Sequence, residues 1–110
     1  MELELTSRHE AMEQLTEEVL GLMEDLYQSG FDTVHDSTLQ GMEKMAAKTG
    51  QYGMQYLSEL LRQLAEEISE SRHRMKQKTE QMAELYTKIN EYLYICRQKT
   101  AYDRGLEYYS

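Results

Sequence analysis

The sequence predicts an all-α fold, an up-and-down bundle of three to four helices. Apolar residues recur at alternating steps of three and four along most of the chain, as they do on one face of an α-helix. No segment shows the alternation of apolar and polar residues, with a period of two, that indicates a strand. With 110 residues, the chain is long enough for one small domain with its own core. We therefore expect a single helical domain over residues 1–104 and a frayed tail over residues 105–110.

Two helices are predicted in the first half of the chain. The first spans roughly residues 3–28. Its apolar stripe repeats every seven residues and consists of Leu5, Met12, Val19 and Leu26. Gly30 ends this helix, because glycine readily adopts the left-handed conformation found after helix ends. The second helix spans roughly residues 38–49, and the side-chain oxygen of Asp36 or Ser37 is expected to cap its first amides.

A third and a fourth helix are predicted at residues 52–69 and 76–103, after a glycine-rich turn at residues 49–53. From Met54 to Cys96 the apolar positions follow steps of three and four without a slip, so the register also permits one continuous helix. The polar stretch from Ser69 to Arg74 instead favours a turn, because serine prefers helix ends. Two architectures remain open: a hairpin that completes the bundle, and a long coiled coil, extended or folded as a hairpin, that dimerises.

Charge is distributed unevenly along the chain. The net charge is −8, but residues 1–70 carry 4 basic and 15 acidic residues, a net charge of −11, whereas residues 71–103 carry +3. The two parts should attract each other, either within one chain or between the two chains of a dimer. The basic cluster from Arg72 to Lys78 could hold phosphates, but the overall negative charge opposes direct binding of nucleic acid. The acidic half could alternatively imitate DNA and block a DNA-binding protein.

We expect a cytoplasmic protein. Residues 1–5 have neither the basic start nor the apolar stretch of a signal peptide. The longest apolar run, Tyr92–Cys96, has five residues, whereas a membrane-spanning helix needs about 20. No membrane partner is therefore expected, and the single cysteine cannot form an intramolecular disulfide.

No pattern in the sequence indicates catalysis, a cofactor or a metal ion. Glu70 and His73 have the spacing of a carboxylate di-iron ligand pair, but a second such motif and two further inward-facing glutamates are not identifiable. His9, His35 and His73 are scattered, and none has an orienting partner for nucleophilic catalysis. Residues 50–53 lack the lysine of a phosphate-binding loop. We therefore expect a protein that is not an enzyme.

The nine tyrosines and eight methionines are the unusual feature of the composition. Methionine usually fills irregular gaps in a core, but flexible methionines can also line an adaptable groove for a partner helix. Tyrosines of the last helix spread over more than one of its faces, so some should be exposed, and exposed tyrosines are favoured at interfaces. The candidate partner-binding residues are Met42, Met45, Tyr86, Tyr94 and Tyr102.

A resemblance to a known family rests on small and apolar residues between positions 36 and 96. They are Ala46-Ala47, Gly53-Met54, Leu57, Leu60-Leu61, Leu64, Leu85, Tyr92-Leu93 and Cys96. In this pattern the chain resembles the small helical accessory proteins associated with SWIM-type zinc-finger proteins and AAA ATPases in bacteria. The resemblance implies a bacterial cytoplasmic protein, a helical hairpin that breaks near residue 71, and an accessory role in a multiprotein assembly. The zinc ligands of a SWIM finger and an ATP-binding loop are absent from the sequence, so neither activity is implied.

The sequence thus favours a non-enzymatic helical module for protein–protein interaction, a subunit or accessory of a larger bacterial complex. Its expected partner is a helical protein, with a second copy of the chain as one option. The alternative, from a different functional class, is an acidic inhibitor that mimics DNA. Binding that persists at high salt would favour the first function, because salt screens charge mimicry but does not screen apolar burial.

Overall fold

The computed structural model describes the backbone of residues 2–72 and 79–109, and the side chains of residues 9–72, 80–99, 101 and 102. Within these ranges the protein consists of helices without a strand. The α-helices are α1 (Glu2–Ser29), α2 (Asp36–Gln51), α3 (Gln55–Ser71) and α4 (Thr79–Tyr109), with a short 3-10 helix (Phe31–Thr33) between α1 and α2. The predicted all-α bundle is confirmed.

The second half of the chain forms a hairpin, because α3 ends at Ser71 and α4 packs back against it. The ring of Tyr56, at the start of α3, lies 5.6 Å from the ring of Tyr92 in α4. Towards the other end of α3, Glu67 shares a crevice with Gln81. The prediction of a hairpin is therefore confirmed, and the alternative of one continuous helix is wrong.

Helix ends agree with the predicted ones to within a few residues, except at α4. That helix extends beyond the predicted end at residue 103 to Tyr109. The predicted start at residue 76 lies outside the described residues, as does the basic cluster after Arg72. The frayed tail from residue 105 stays a prediction.

The predicted glycine signals end α1 and α2. Gly30 and Gly53 both have positive φ angles, 77° and 81°. After α2, the amide of Gly53 donates to the Gly50 carbonyl at 3.1 Å, and the amide of Met54 donates to the Thr49 carbonyl at 2.9 Å. This pair of hydrogen bonds is a Schellman motif, which satisfies the last carbonyls of a helix and requires a left-handed residue that glycine supplies without strain.

The predicted side-chain cap of α2 is wrong. Helix α2 begins at Asp36, two residues earlier than expected, and the residue before it, His35, makes no side-chain capping hydrogen bond. The backbone carbonyl of His35 instead accepts hydrogen bonds from the amides of Thr38 and Leu39. Because Asp36 is already inside the helix, its carboxylate points to another partner: Nη1 of Arg72 lies 2.5 Å from the carboxylate.

Arg72 joins the end of α3 to the segment that precedes α2. Besides the ion pair with Asp36, its Nη2 donates to the backbone carbonyl of Val34. Val34 is itself buried, so this hydrogen bond fixes the chain where it enters α2. The guanidinium therefore bridges two segments that lie 36 to 38 positions apart in the sequence.

The core is formed by the predicted apolar faces of all four helices. Its fully buried side chains, with at most 1% of their surface exposed, include Val19, Met23, Leu26, Met42, Leu57, Leu61, Leu64, Ile68, Met82, Ile89 and Leu93.

Helix α2 approaches both of its neighbours, α1 and α3, closely. The hydroxyl of Ser58 in α3 donates to the Ala46 carbonyl of α2 at 2.6 Å, and Gly41 of α2 faces the end of the Leu22 side chain in α1.

The helices differ in length, and this makes the molecule elongated, with dimensions of 57 × 21 × 20 Å. At 1.5 Å per residue, α1 and α4 are about 42 and 46 Å long, whereas α2 and α3 are about 25 Å long. Helices α1 and α4 run antiparallel, because Phe31 lies beside Tyr86 while Glu17 lies beside Arg97. Since α3 starts near the level of Tyr92, α4 continues for about 25 Å beyond it, and in this segment its Arg97 lies beside Glu17 of α1.

Candidate functional site

The structure places the two candidate methionines inside the protein. Met42 is completely buried and Met45 is 6% exposed, and both belong to the main hydrophobic core. They therefore fill the core, which is the usual role of methionine, and they do not line a groove for a partner helix. Their side chains offer no surface to a partner in this structure.

The three candidate tyrosines lie in α4 and differ in exposure. Tyr86 is partly buried, and its ring meets the ring of Phe31 edge to face, with 6.0 Å between the ring centres. This contact attaches the 3-10 helix to α4. Tyr94 and Tyr102 are about two thirds exposed, at 65% and 66%. A role for these tyrosines in partner binding stays a prediction.

Ile95 is an exposed apolar residue that the sequence analysis missed as a candidate. Its side chain is 63% exposed, although it follows the fully buried Leu93 by two positions. Two residues turn a helix by about 200°, so Ile95 lies on the side of α4 opposite the core. Tyr102 follows Ile95 by seven positions and shares this side. The signal in the sequence was the apolar run 92–96, because a helix that is apolar over adjacent positions cannot bury all of them on one face.

The outward side of α4 changes from charged to uncharged along its length. We call this side the outer stripe. It follows steps of three and four and consists of the exposed residues Glu84, Lys88, Glu91, Ile95, Gln98 and Tyr102. The ammonium of Lys88 lies 3.2 Å from the Glu84 carboxylate, one helical turn before it. Charged residues therefore occupy the half of the outer stripe beside α3. The half that extends past α3 is uncharged and consists of the apolar Ile95, the polar Gln98 and the aromatic Tyr102.

Cys96 and Tyr92 lie one turn apart on the flank of α4. Burial raises the pKa of the Cys96 thiol, an effect opposed by a hydrogen bond with Tyr92 and by the charge of Lys99. Burial also raises the pKa of the Tyr92 phenol, and the neighbouring Cys96 adds to this shift. Both groups are therefore neutral at physiological pH, and Cys96 has the protonated form of a packing residue, not the thiolate form of a nucleophile.

Two shallow concavities lie between neighbouring helices. The groove between α2 and α3 has a volume of about 390 Å³ and a floor that includes Ala46, Ala47 and Ala65. The crevice between α3 and α4 has a volume of about 300 Å³ and is lined mainly by glutamate, glutamine and lysine side chains. Neither lining contains a cysteine or a histidine.

The two histidines in the described part of the chain, His9 and His35, are not brought together. His9 and His35 are both exposed on different segments, and His73, with its spacing from Glu70, lies outside the described residues. In the part of the chain that the structure describes, no group of three or more histidine, cysteine or acidic side chains could hold a metal ion. Over the same residues, every helix is too short or too polar to cross a bilayer.

The outer stripe is thus the candidate binding surface, because it exposes both Ile95 and Tyr102.

Comparison of the chain with models of protein families, with curated proteins and with solved structures gave no match in any of the three. The resemblance to the bacterial accessory proteins of the sequence analysis therefore stays a prediction, and the chemistry of the outer stripe carries the functional argument.

Proposed function

We propose that the protein is a non-enzymatic module for protein–protein interaction that binds a helical partner through the outer stripe of α4. The observation that carries this proposal is the exposure of Ile95 and Tyr102 on one side of a helix whose opposite side is buried. A soluble helix usually has one apolar face, and apolar side chains that recur on the opposite side offer surface that a partner helix could bury.

The energetics support a binding role for these residues. Complete burial of an isoleucine side chain contributes about 1.5–3 kcal/mol, and tyrosine is one of the residues most enriched at the centres of interfaces. Tyr94 lies on the flank of the same segment, so it extends the surface that a partner helix could cover. Ile95 and Tyr102 lie seven residues, or about two helical turns, apart along the stripe. A second helix that packs against α4 presents its own side chains at the same spacing.

We further propose an accessory role in a larger bacterial assembly in the cytoplasm. This part of the proposal rests on the resemblance to the accessory proteins of SWIM-type zinc-finger proteins and AAA ATPases. The hairpin of α3 and α4 agrees with the helical hairpin that this resemblance implies.

The proposal is tested by retention of partner proteins from an extract of the source organism on the immobilised protein. Tyr102→Ala and Ile95→Ala are compared with Tyr27→Ala, a matched control because Tyr27 is 80% exposed on α1. We expect chains that the wild type and Tyr27→Ala retain, but that Tyr102→Ala and Ile95→Ala lose. Equal retention by all variants would exclude the outer stripe as the binding surface.

A second candidate function, the acidic inhibitor that mimics DNA, rests on α1. Glu10, Glu17 and Glu24 are exposed and recur every seven residues along this helix. Salt distinguishes the two functions. A complex that is held by the outer stripe should survive a wash with about 0.5 M salt, at which the Debye length falls to a few ångströms, whereas one held by the glutamates should dissociate.

A further inference from the structure

We infer that the outer stripe of α4 binds the outer stripe of a second copy of this chain, with the two helices antiparallel and Ile95 opposite its own counterpart. The inference rests on the proposed function, since it takes the outer stripe as the binding surface. It adds the identity of the partner, the direction of the partner helix and the register of the pair.

The charges on either side of Ile95 favour this register. Glu91 of the outer stripe precedes Ile95 by four positions. Lys99, which borders the stripe beside Gln98, follows Ile95 by four, and both charged side chains are exposed. In an antiparallel pair centred on Ile95, each residue faces the one at the same distance on the other side of the centre. Glu91 therefore faces Lys99 of the second copy, and the two-fold symmetry makes this contact twice.

The next pair outward is also complementary. Lys88 precedes Ile95 by seven positions and Tyr102 follows it by seven. In the same register, the apolar stem of Lys88 covers the ring of Tyr102 from the second copy, and its ammonium stays near the solvent. Lysine and tyrosine attract each other in this arrangement through the electron-rich face of the ring. The contact spans residues 88 to 102, a length of about 21 Å.

A parallel pair lacks this complementarity. With Ile95 against Ile95 in a parallel arrangement, Glu91 would lie beside Glu91 and Lys99 beside Lys99, so each contact would bring like charges together. The antiparallel arrangement converts these two repulsions into two attractions. The net charge of −8 on each copy opposes association at low salt, and we expect added salt to strengthen the pair by screening this repulsion.

The register is tested by disulfide cross-linking in a Cys96→Ser background. Ile95→Cys places two thiols at the symmetry axis, where helix pairs bring β-carbons within the 3.5–4.5 Å of a disulfide. Glu84→Cys is the matched control, because it lies on the same stripe but about 33 Å from its counterpart in this register. We expect efficient oxidation to a cross-linked dimer for Ile95→Cys and at least about tenfold slower cross-linking for Glu84→Cys. Equal rates for the two variants would overturn the register.

Exchange of the charges at Glu91 and Lys99 tests the same pair of helices without introducing a disulfide bond. Glu91→Lys and Lys99→Glu each place like charges opposite each other twice, so each should raise the dimer Kd about tenfold in sedimentation equilibrium. The double variant restores both attractions and should return the Kd to within about threefold of the wild type. Circular dichroism checks that all three variants keep their helical content.

The outcomes also separate this inference from the proposed function. A contact of this size belongs to the weak class, so we expect a wild-type Kd of about 10–100 µM. A wild type that stays monomeric up to about 500 µM overturns self-association. The proposed function would then still be decided by the retention experiment with Tyr102→Ala, because that experiment detects partners other than a second copy. A dimer whose Kd is unchanged by both single charge variants would overturn the proposed contact.

Discussion

Two helical glycines with different surroundings provide a test of how closely α1 and α2 pack. Gly21 lies in α1, and a β-carbon added there would have no neighbouring atom within 4 Å outside its own helix. Gly41 lies in α2, and a β-carbon added there would lie 2.9 Å from Cδ2 of Leu22, which is closer than carbon atoms approach without a shift. The same substitution, glycine to alanine, should therefore have different effects at the two positions.

The expected magnitudes follow from helix propensity and side-chain strain. Alanine is favoured over glycine by about 0.8–1.0 kcal/mol in the interior of a helix, and Gly21→Ala should stabilise the protein by this amount. Gly41→Ala gains the same propensity, but it must displace the end of the Leu22 side chain. Moving a side chain away from its rotamer costs about 0.5–1.5 kcal/mol, so the net change for Gly41→Ala should be near zero.

A double-mutant cycle isolates the contact between the two helices. Leu22→Ala removes the atom that obstructs the new methyl group, and in this background Gly41→Ala should recover its full gain of about 1 kcal/mol. Urea unfolding followed by circular dichroism measures each free energy of unfolding. Gly21→Ala should also raise the melting temperature by about 4 °C, the shift expected for 1 kcal/mol in a domain of this size. If Gly41→Ala stabilises the wild type as much as Gly21→Ala does, α1 and α2 do not approach each other as the structure describes.

Other predictions concern the core, the Arg72 bridge and the thiol. Leu61→Ala should lower the free energy of unfolding by about 2–5 kcal/mol, because Leu61 is completely buried, and an unchanged urea midpoint would contradict its place in the core. Arg72→Ala should lower the free energy of unfolding by about 1 kcal/mol through loss of the hydrogen bond to Val34. Arg62→Ala removes only a surface ion pair with Glu59, so it should lower this free energy by less in the same urea titration. Because the pKa of Cys96 is raised, its contribution to stability is present below the thiol pKa of the unfolded chain and is lost as pH rises through the folded value. Alkylation by iodoacetamide at pH 8 should accordingly be slower than for a cysteine peptide and should reach the peptide rate in urea, and equal rates in buffer would contradict the raised pKa.

The sequence was sufficient to predict the helices and most of the core, because the buried side of a helix requires apolar residues at steps of three and four. Leu57, Leu61 and Leu64 follow one another at steps of four and three, and all three are completely buried. The glycines that end α1 and α2 could also be predicted, since each occupies a positive φ angle that other residues rarely adopt.

The polar contacts that fix the chain at the start of α2 could not be predicted. Asp36 and Arg72 lie far apart in the sequence, and neither residue type reveals its partner. A carboxylate near a helix start is compatible both with a cap and with an ion pair to another segment, and local sequence contains no information that decides between them. Here the ion pair is formed, and the cap is replaced by backbone hydrogen bonds from the helix start to the His35 carbonyl.

Of the two large exposed side chains of the outer stripe, the sequence analysis identified Tyr102 but missed Ile95, for a related reason. The register of three and four from Met54 to Cys96 assigns one buried face to α4, and Ile95 lies outside that register. The lengths of the other helices supply the missing information: α3 begins near the level of Tyr92, so the exposed Ile95 and Tyr102 lie beyond the part of α4 that α3 accompanies. The exposed side chains of Ile95 and Tyr102 are apolar surface that the chain itself leaves uncovered, and this surface is the physical reason to expect a partner for α4.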